Sequence, residues 1–114
     1  MQVSRHHCCE PYLSQLKDGS KTVEGRIHRN CWAKLKVGDN IVFHSDEDPA
    51  GATFQVTGLT RAKSFANLYT LFGQQLLPGV LTVEDAVRIY DGFPHFTENM
   101  PEYGVIGIGI KLSH

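Results

Sequence analysis

The sequence predicts an α+β domain whose strands curl into a closed or partly closed barrel carrying two or three short helices. Three observations lead there. Turn-forming residues interrupt the chain often, and most segments between them are short. Strand patterns are concentrated toward both ends of the chain. The 114 residues are 41% apolar, enough for one core, so a single domain is expected across residues 1–114.

The elements follow in order. Residues Gln2 to Cys9 read as a short strand. Pro11 sits where a helix begins, since the first turn has no use for its missing N–H. Tyr12, Leu13 and Leu16 have helical spacing, Lys17 complements the helix dipole, and Gly19 ends the helix. Lys21 to His28 reads as a strand with Val23 and Ile27 on one face and Thr22, Glu24, Arg26 and His28 on the other. Residues Asn30 to Lys36 form a loop or a single helical turn. The Val37-Gly38-Asp39 turn introduces a strand over Asn40 to His44, and an acidic loop, Ser45 to Gly51, follows. Ala52 to Arg61 alternates as a half-buried strand, with Gly58 marking a bulge.

Ser64 caps a helix carrying Phe65, Leu68, Tyr69 and Phe72, and Gly73 terminates it. After a Pro78-Gly79 turn, Thr82 caps a second helix with Val83, Ala86, Val87 and Tyr90 as its apolar stripe. Asp91 to Tyr103 reads as a loop rich in aromatic residues and proline. In the last strand, Gly104 to Leu112, Ile106, Ile108, Ile110 and Leu112 share a face. Gly107 and Gly109 lie on the other, which suits close approach by a helix or ligand.

Composition narrows the function. A charged fraction of 20% and a formal net charge of −1 exclude a grossly basic nucleic-acid binder and do not suggest disorder. No apolar run approaches the roughly 18–20 residues of a membrane span, and no secretory h-region opens the chain, so a cytoplasmic protein without a membrane partner is expected. No phosphate-binding or dinucleotide motif is present, and no cofactor is expected. The cysteines, Cys8, Cys9 and Cys31, make a poor disulfide framework and read as reduced thiols.

The chemistry concentrates between Gly19 and Arg26. Lys21 and Glu24 stand roughly 10 Å apart along an ideal strand, within reach of each other's long side chains. Glu24 and Arg26 share a face. Such a cation–anion–cation group holds a base edge, a phosphate or a carboxylate, or else serves as a structural ion network. Burial and Arg26 would lower the Lys21 pKa while Glu24 would raise it, so a catalytic reading makes either Lys21 or Glu24 the base. Ser20 and Thr22 are candidate hydroxyl groups. His6, His7, Cys8 and Cys9 have zinc-ligand chemistry, but four consecutive strand residues cannot surround one ion, and no metal is expected. Arg26, His28, Arg29, Lys34 and Lys36 with Trp32 among them suit single-stranded RNA, or a solvated surface with Trp32 in the core. Phe93, Pro94, His95, Phe96 and Tyr103 either stack on a base or cover a barrel end.

The run Gly19-Ser20-Lys21-Thr22-Val23-Glu24-Gly25-Arg26 resembles the G-x-K-x-x-E-x-R signature of the ASCH domain family. The Val37-Gly38-Asp39 turn, the Lys63-to-Tyr69 segment and the Tyr103-Gly104-led final strand agree with it. The resemblance implies a PUA-like barrel with a cleft that binds RNA or a modified nucleoside through Lys21, Thr22, Glu24 and Arg26. It also implies, as alternatives, an N4-acetylcytidine amidohydrolase or a single-strand ribonuclease with Lys21 and Glu24 as catalytic residues. A protein-interaction module is the further alternative. In the amidohydrolase subgroup a threonine follows the lysine by three residues, and Glu24 stands in its place.

Overall fold

The computed structural model describes residues 3–113. Gln2, where the first strand was expected to begin, lies outside them. Five strands form one curled sheet in the order β1-β3-β4-β5-β2, where β1 is Val3–His7, β2 Val23–Ile27, β3 Asn40–His44, β4 Ala52–Ala62 and β5 Val105–Leu112. β1 runs parallel to β3, and the other neighbours are antiparallel. The register of β4 against β5 shifts between Val56 and Gly58, the expected bulge, which bends the long strand.

The strand pleat separates two apolar layers. On one face Ile106, Ile108 and Ile110 meet Ile41, Phe43, Phe54, Val56 and the buried Leu13 and Leu16 of helix α1, Tyr12–Asp18. On the other, Val23, Ile27 and Val105 pack against Phe65 and Leu68 of α2, Phe65–Phe72, and Ala86 and Tyr90 of α3, Val83–Asp91. Ser64 and Thr82 cap these two helices, accepting from the Asn67 and Asp85 amides. One of the two glycines of β5 has its reason here: a Cβ on Gly107 would lie 2.8 Å from a methyl of Leu68.

Two expectations need correction. There are four α-helices among the described residues, not two or three, because Phe96–Tyr103 within the expected aromatic loop is helical (α4). Its start carries no side-chain cap, since His95 stands there with φ 65°, and Pro101 lies inside it, so both sequence signals pointed away from a helix. The second strand is also shorter than expected, because Lys21 and Thr22 precede it and His28 follows it. No helix among the described residues is long and apolar enough to cross a membrane.

Candidate functional site

The outermost strands, β1 and β2, do not pair. Side chains bridge their gap instead. Arg26 Nη2 donates to the His7 carbonyl at 3.0 Å, and the Cys8 thiol donates to Glu24 Oε2 at 3.4 Å. A cavity of about 420 Å3 opens at this seam. β2 and the residue pair before it supply Lys21, Glu24, Gly25 and Arg26. The end of β1 and the start of α1 supply Cys8, Cys9 and Tyr12, and the α3–α4 corner supplies Tyr90, Phe93 and Phe96.

Local structure sets the lysine. Gly19 takes φ 86° and ends α1, and the Lys21 amide turns back to the Gln15 carbonyl at 3.1 Å. The Lys21 side chain then points inward and is 1% exposed. Its Nζ donates to the carbonyls of Val23, at 2.7 Å, and Leu76, and lies 3.3 Å from Glu24 Oε1. Three ammonium protons thus meet three acceptors. Burial pulls the Lys21 pKa below its ordinary value, while Glu24 opposes that pull.

Glu24 is equally committed. Oε1 faces Lys21 and accepts the Gly25 amide at 3.1 Å, and Oε2 accepts Arg26 Nη2 at 3.0 Å as well as the Cys8 thiol. Burial alone would raise its pKa, but Lys21 and Arg26 outweigh burial and hold the carboxyl at about 2. The same burial, with Glu24 beside it, pushes the Cys8 thiol far up, so it stays protonated. The Arg26 guanidinium lies 5.0 Å from the Trp32 ring centre and 5.3 Å from that of Phe43.

Lys21, Glu24 and Arg26 therefore come together. Thr22 does not join them: it is exposed and off the cavity wall, and its backbone pairs with Gln75 and Ile110. The basic stretch disperses too. Trp32 is half-buried, with His6 at 4.3 Å between ring centres and Phe43 stacked at 6.2 Å, so its ring is occupied by protein. Arg29 lies over Tyr103 and donates to Asn99 at 3.2 Å. His6 Nε2 is 2.9 Å from Ser4 Oγ, and burial, then Arg26, lowers its pKa. No group of three or more His, Cys, Asp or Glu among the described residues is gathered to hold a metal ion.

One residue of the cavity reads in the sequence only as core. Tyr90 belongs to the α3 stripe, and its ring stacks on Phe65 at 3.9 Å. Its hydroxyl is buried with no hydrogen-bond partner among the described residues. The signal was available: a buried tyrosine carries a hydroxyl that needs a partner. Burial also raises its pKa well above the ordinary value, so the hydroxyl stays neutral. Gly25 makes room for it, because a Cβ there would lie 2.8 Å from the hydroxyl oxygen.

The sequence profile of the ASCH domain matches residues 7–109. No curated protein matches the chain in sequence. Among solved structures, the hypothetical protein PH0355 is similar over 98% of this chain and 100% of its own, with 27% identity and a TM-score of 0.87. Protein PF0455 from Pyrococcus furiosus is similar over 97% of each chain, with 24% identity and a TM-score of 0.76. An ASCH domain from Lactobacillus crispatus is similar over 97% of this chain and 79% of its own, with 12% identity and a TM-score of 0.70. The latter two likenesses concern the fold alone.

Proposed function

The chain belongs to the ASCH domain family, and from that premise we propose that the seam cavity binds the base of a modified nucleoside, free or carried on RNA. The observation that carries this reading is the make-up of the cavity. At about 420 Å3 it falls in the range of small-molecule sites, roughly 300–1,000 Å3. Tyr12, Phe93 and Phe96 give it aromatic walls for a planar ring, and the cluster of buried Lys21 and Glu24 with half-buried Arg26 gives it a polar end.

Binding of one base is favoured over tracking of a long strand. The chain has a formal net charge of −1, and the Trp32 and Arg29 side chains are engaged within the protein. The hydrolytic reading, with Lys21 and Glu24 as the reacting pair, draws on their 3.3 Å contact in the same cavity. A carboxyl held at about 2 is a weak base, and the Lys21 ammonium has its three acceptors, so binding is the stronger reading.

The test is an amide NMR titration with cytidine, N4-acetylcytidine and a short single-stranded RNA. Shifts confined to Gly25, Arg26 and the Tyr90–Phe96 corner are expected. Chromatography of the same samples reads hydrolysis, and released cytidine would replace the binding reading with the enzymatic one. Folded protein that shifts with none of the three would overturn it.

A further inference from the structure

Glu24 is the natural choice to read a base edge, yet its acceptor capacity is spent. A carboxylate offers about four acceptor sites. Lys21 and the Gly25 amide face Oε1, and Arg26 and Cys8 face Oε2. A ligand donor at Glu24 would have to displace a bond that holds the seam.

The unspent groups lie one residue along. In an antiparallel pair, successive residues turn their backbone polar groups alternately toward and away from the neighbouring strand. The Thr22 carbonyl accepts from Ile110 and the His28 amide donates to Gly104, which sets the even-numbered residues of β2 toward β5. Val23, Gly25 and Ile27 therefore turn to the unpaired edge. There the Val23 carbonyl is taken by Lys21, the Ile27 carbonyl by the Arg29 amide, and the Gly25 amide by Glu24. The Gly25 carbonyl and the Val23 and Ile27 amides turn the same way with no partner among the described residues, and of these three residues only Gly25 lines the cavity. The unpartnered Tyr90 hydroxyl lies over the face of the same residue, 2.8 Å from where a Gly25 Cβ would be. A native protein rarely leaves such a buried group unpaired unless something else pairs with it.

We infer that the Tyr90 hydroxyl and the Gly25 carbonyl read the ligand, and that the ligand presents an N–H donor beside an acceptor, the amide or amidine edge of a heterocycle. The inference rests on the nucleoside reading and deepens it. The ring N–H or exocyclic amine donates to the Gly25 carbonyl. The neighbouring ring nitrogen or oxo group meets the Tyr90 hydroxyl, which donates or accepts as the edge requires. Lys21, Glu24 and Arg26 then act as positioning residues that fix the edge of β2, and Tyr90 is the specificity-determining one.

The experiment is calorimetric titration of wild type and Tyr90→Phe with cytidine, uridine, N4-acetylcytidine and N4,N4-dimethylcytidine, with thermal melting to verify folding. Tyr90→Phe keeps the ring that stacks on Phe65, so the variant is expected to fold. It should bind about tenfold more weakly than wild type, the effect of one lost hydrogen bond. N4,N4-dimethylcytidine, which has no amine proton, should bind wild type about tenfold more weakly than cytidine. Equal affinity of Tyr90→Phe and wild type would overturn the role of Tyr90. Equal affinity for the dimethylated and parent nucleosides would overturn that of the Gly25 carbonyl. Failure of folded wild type to bind any of the four would instead overturn the nucleoside reading itself.

Discussion

Where β3, β4 and β5 meet, backbone ladders join the strands over a wall of Ile41, Phe43, Phe54, Val56 and Ile108, each 1% exposed or less. Where β1 and β2 approach, there is no ladder, and Arg26, Glu24, Cys8 and Lys21 make the join. The two joins differ in how their parts depend on one another. Apolar burial is non-directional and roughly proportional to area, so losing one methylene costs its share. The ionic join is interdependent, because removing one member strands the others away from water. The interdependent join is also the one that leaves room for a cavity.

The contrast is broken most directly at Glu24. Glu24→Gln keeps the shape but leaves Lys21 and Arg26 without their counter-charge, and should cost about 3–5 kcal/mol. Ile108→Val in the apolar wall should cost about 1 kcal/mol. Urea unfolding of both variants checks this, and equal costs would mean that the ionic cluster does not hold the seam.

Acid should loosen the seam before the wall. The Glu24 carboxyl lies near 4.5 ordinarily and at about 2 when folded. A depressed folded pKa gives stability that is complete above the unfolded value and is lost as pH falls from about 4.5 toward 2. Asp48, held low chiefly by its hydrogen bond with Lys17, titrates in the same direction. The diagnostic is therefore the difference from Glu24→Gln, whose melting temperature should fall less across that window. Parallel curves would remove Glu24 as a source of acid sensitivity.

The smallest effect sharpens the comparison within the helical layer. The Tyr69 hydroxyl donates to the Val80 carbonyl, whereas the Tyr90 hydroxyl has no partner. Tyr69→Phe should cost about 1 kcal/mol. Tyr90→Phe should be neutral or stabilising by up to about 1 kcal/mol, since it deletes an unpaired buried group. Equal losses in thermal melts would mean that Tyr90 is hydrogen-bonded in solution.

The sequence made the fold legible where local signals and long-range packing agree. Ser64 and Thr82 marked helix starts, Gly58 marked the bulge, and the alternation around Ile106, Ile108 and Ile110 marked the last strand. It also gathered Lys21, Glu24 and Arg26, because a short signature needs only local geometry to bring them together. What it hid depends on distant chain. Lys21 turns inward because the Leu76 carbonyl, 55 residues away, receives its ammonium. Thr22 turns out because its backbone docks on Gln75 and Ile110. α4 forms without a cap, and Tyr90 reads as an ordinary core residue until its hydroxyl is found buried without a partner in the wall of a cavity. No periodicity encodes which polar atoms end up unpaired.

An unpaired sheet edge normally invites another chain to add a strand, which is a route to aggregation. Here β2 covers half of its own edge: a lysine takes the Val23 carbonyl, a glutamate the Gly25 amide, and the Arg29 amide the Ile27 carbonyl. A strand from a second copy would find three of the six edge-facing groups of Val23, Gly25 and Ile27 already taken, with the charged side chains of Glu24 and Arg26 between them. The seam that holds the cavity thereby offers intermolecular β-pairing a broken ladder rather than a continuous one, and the gap between β1 and β2 stays open without a fully exposed edge.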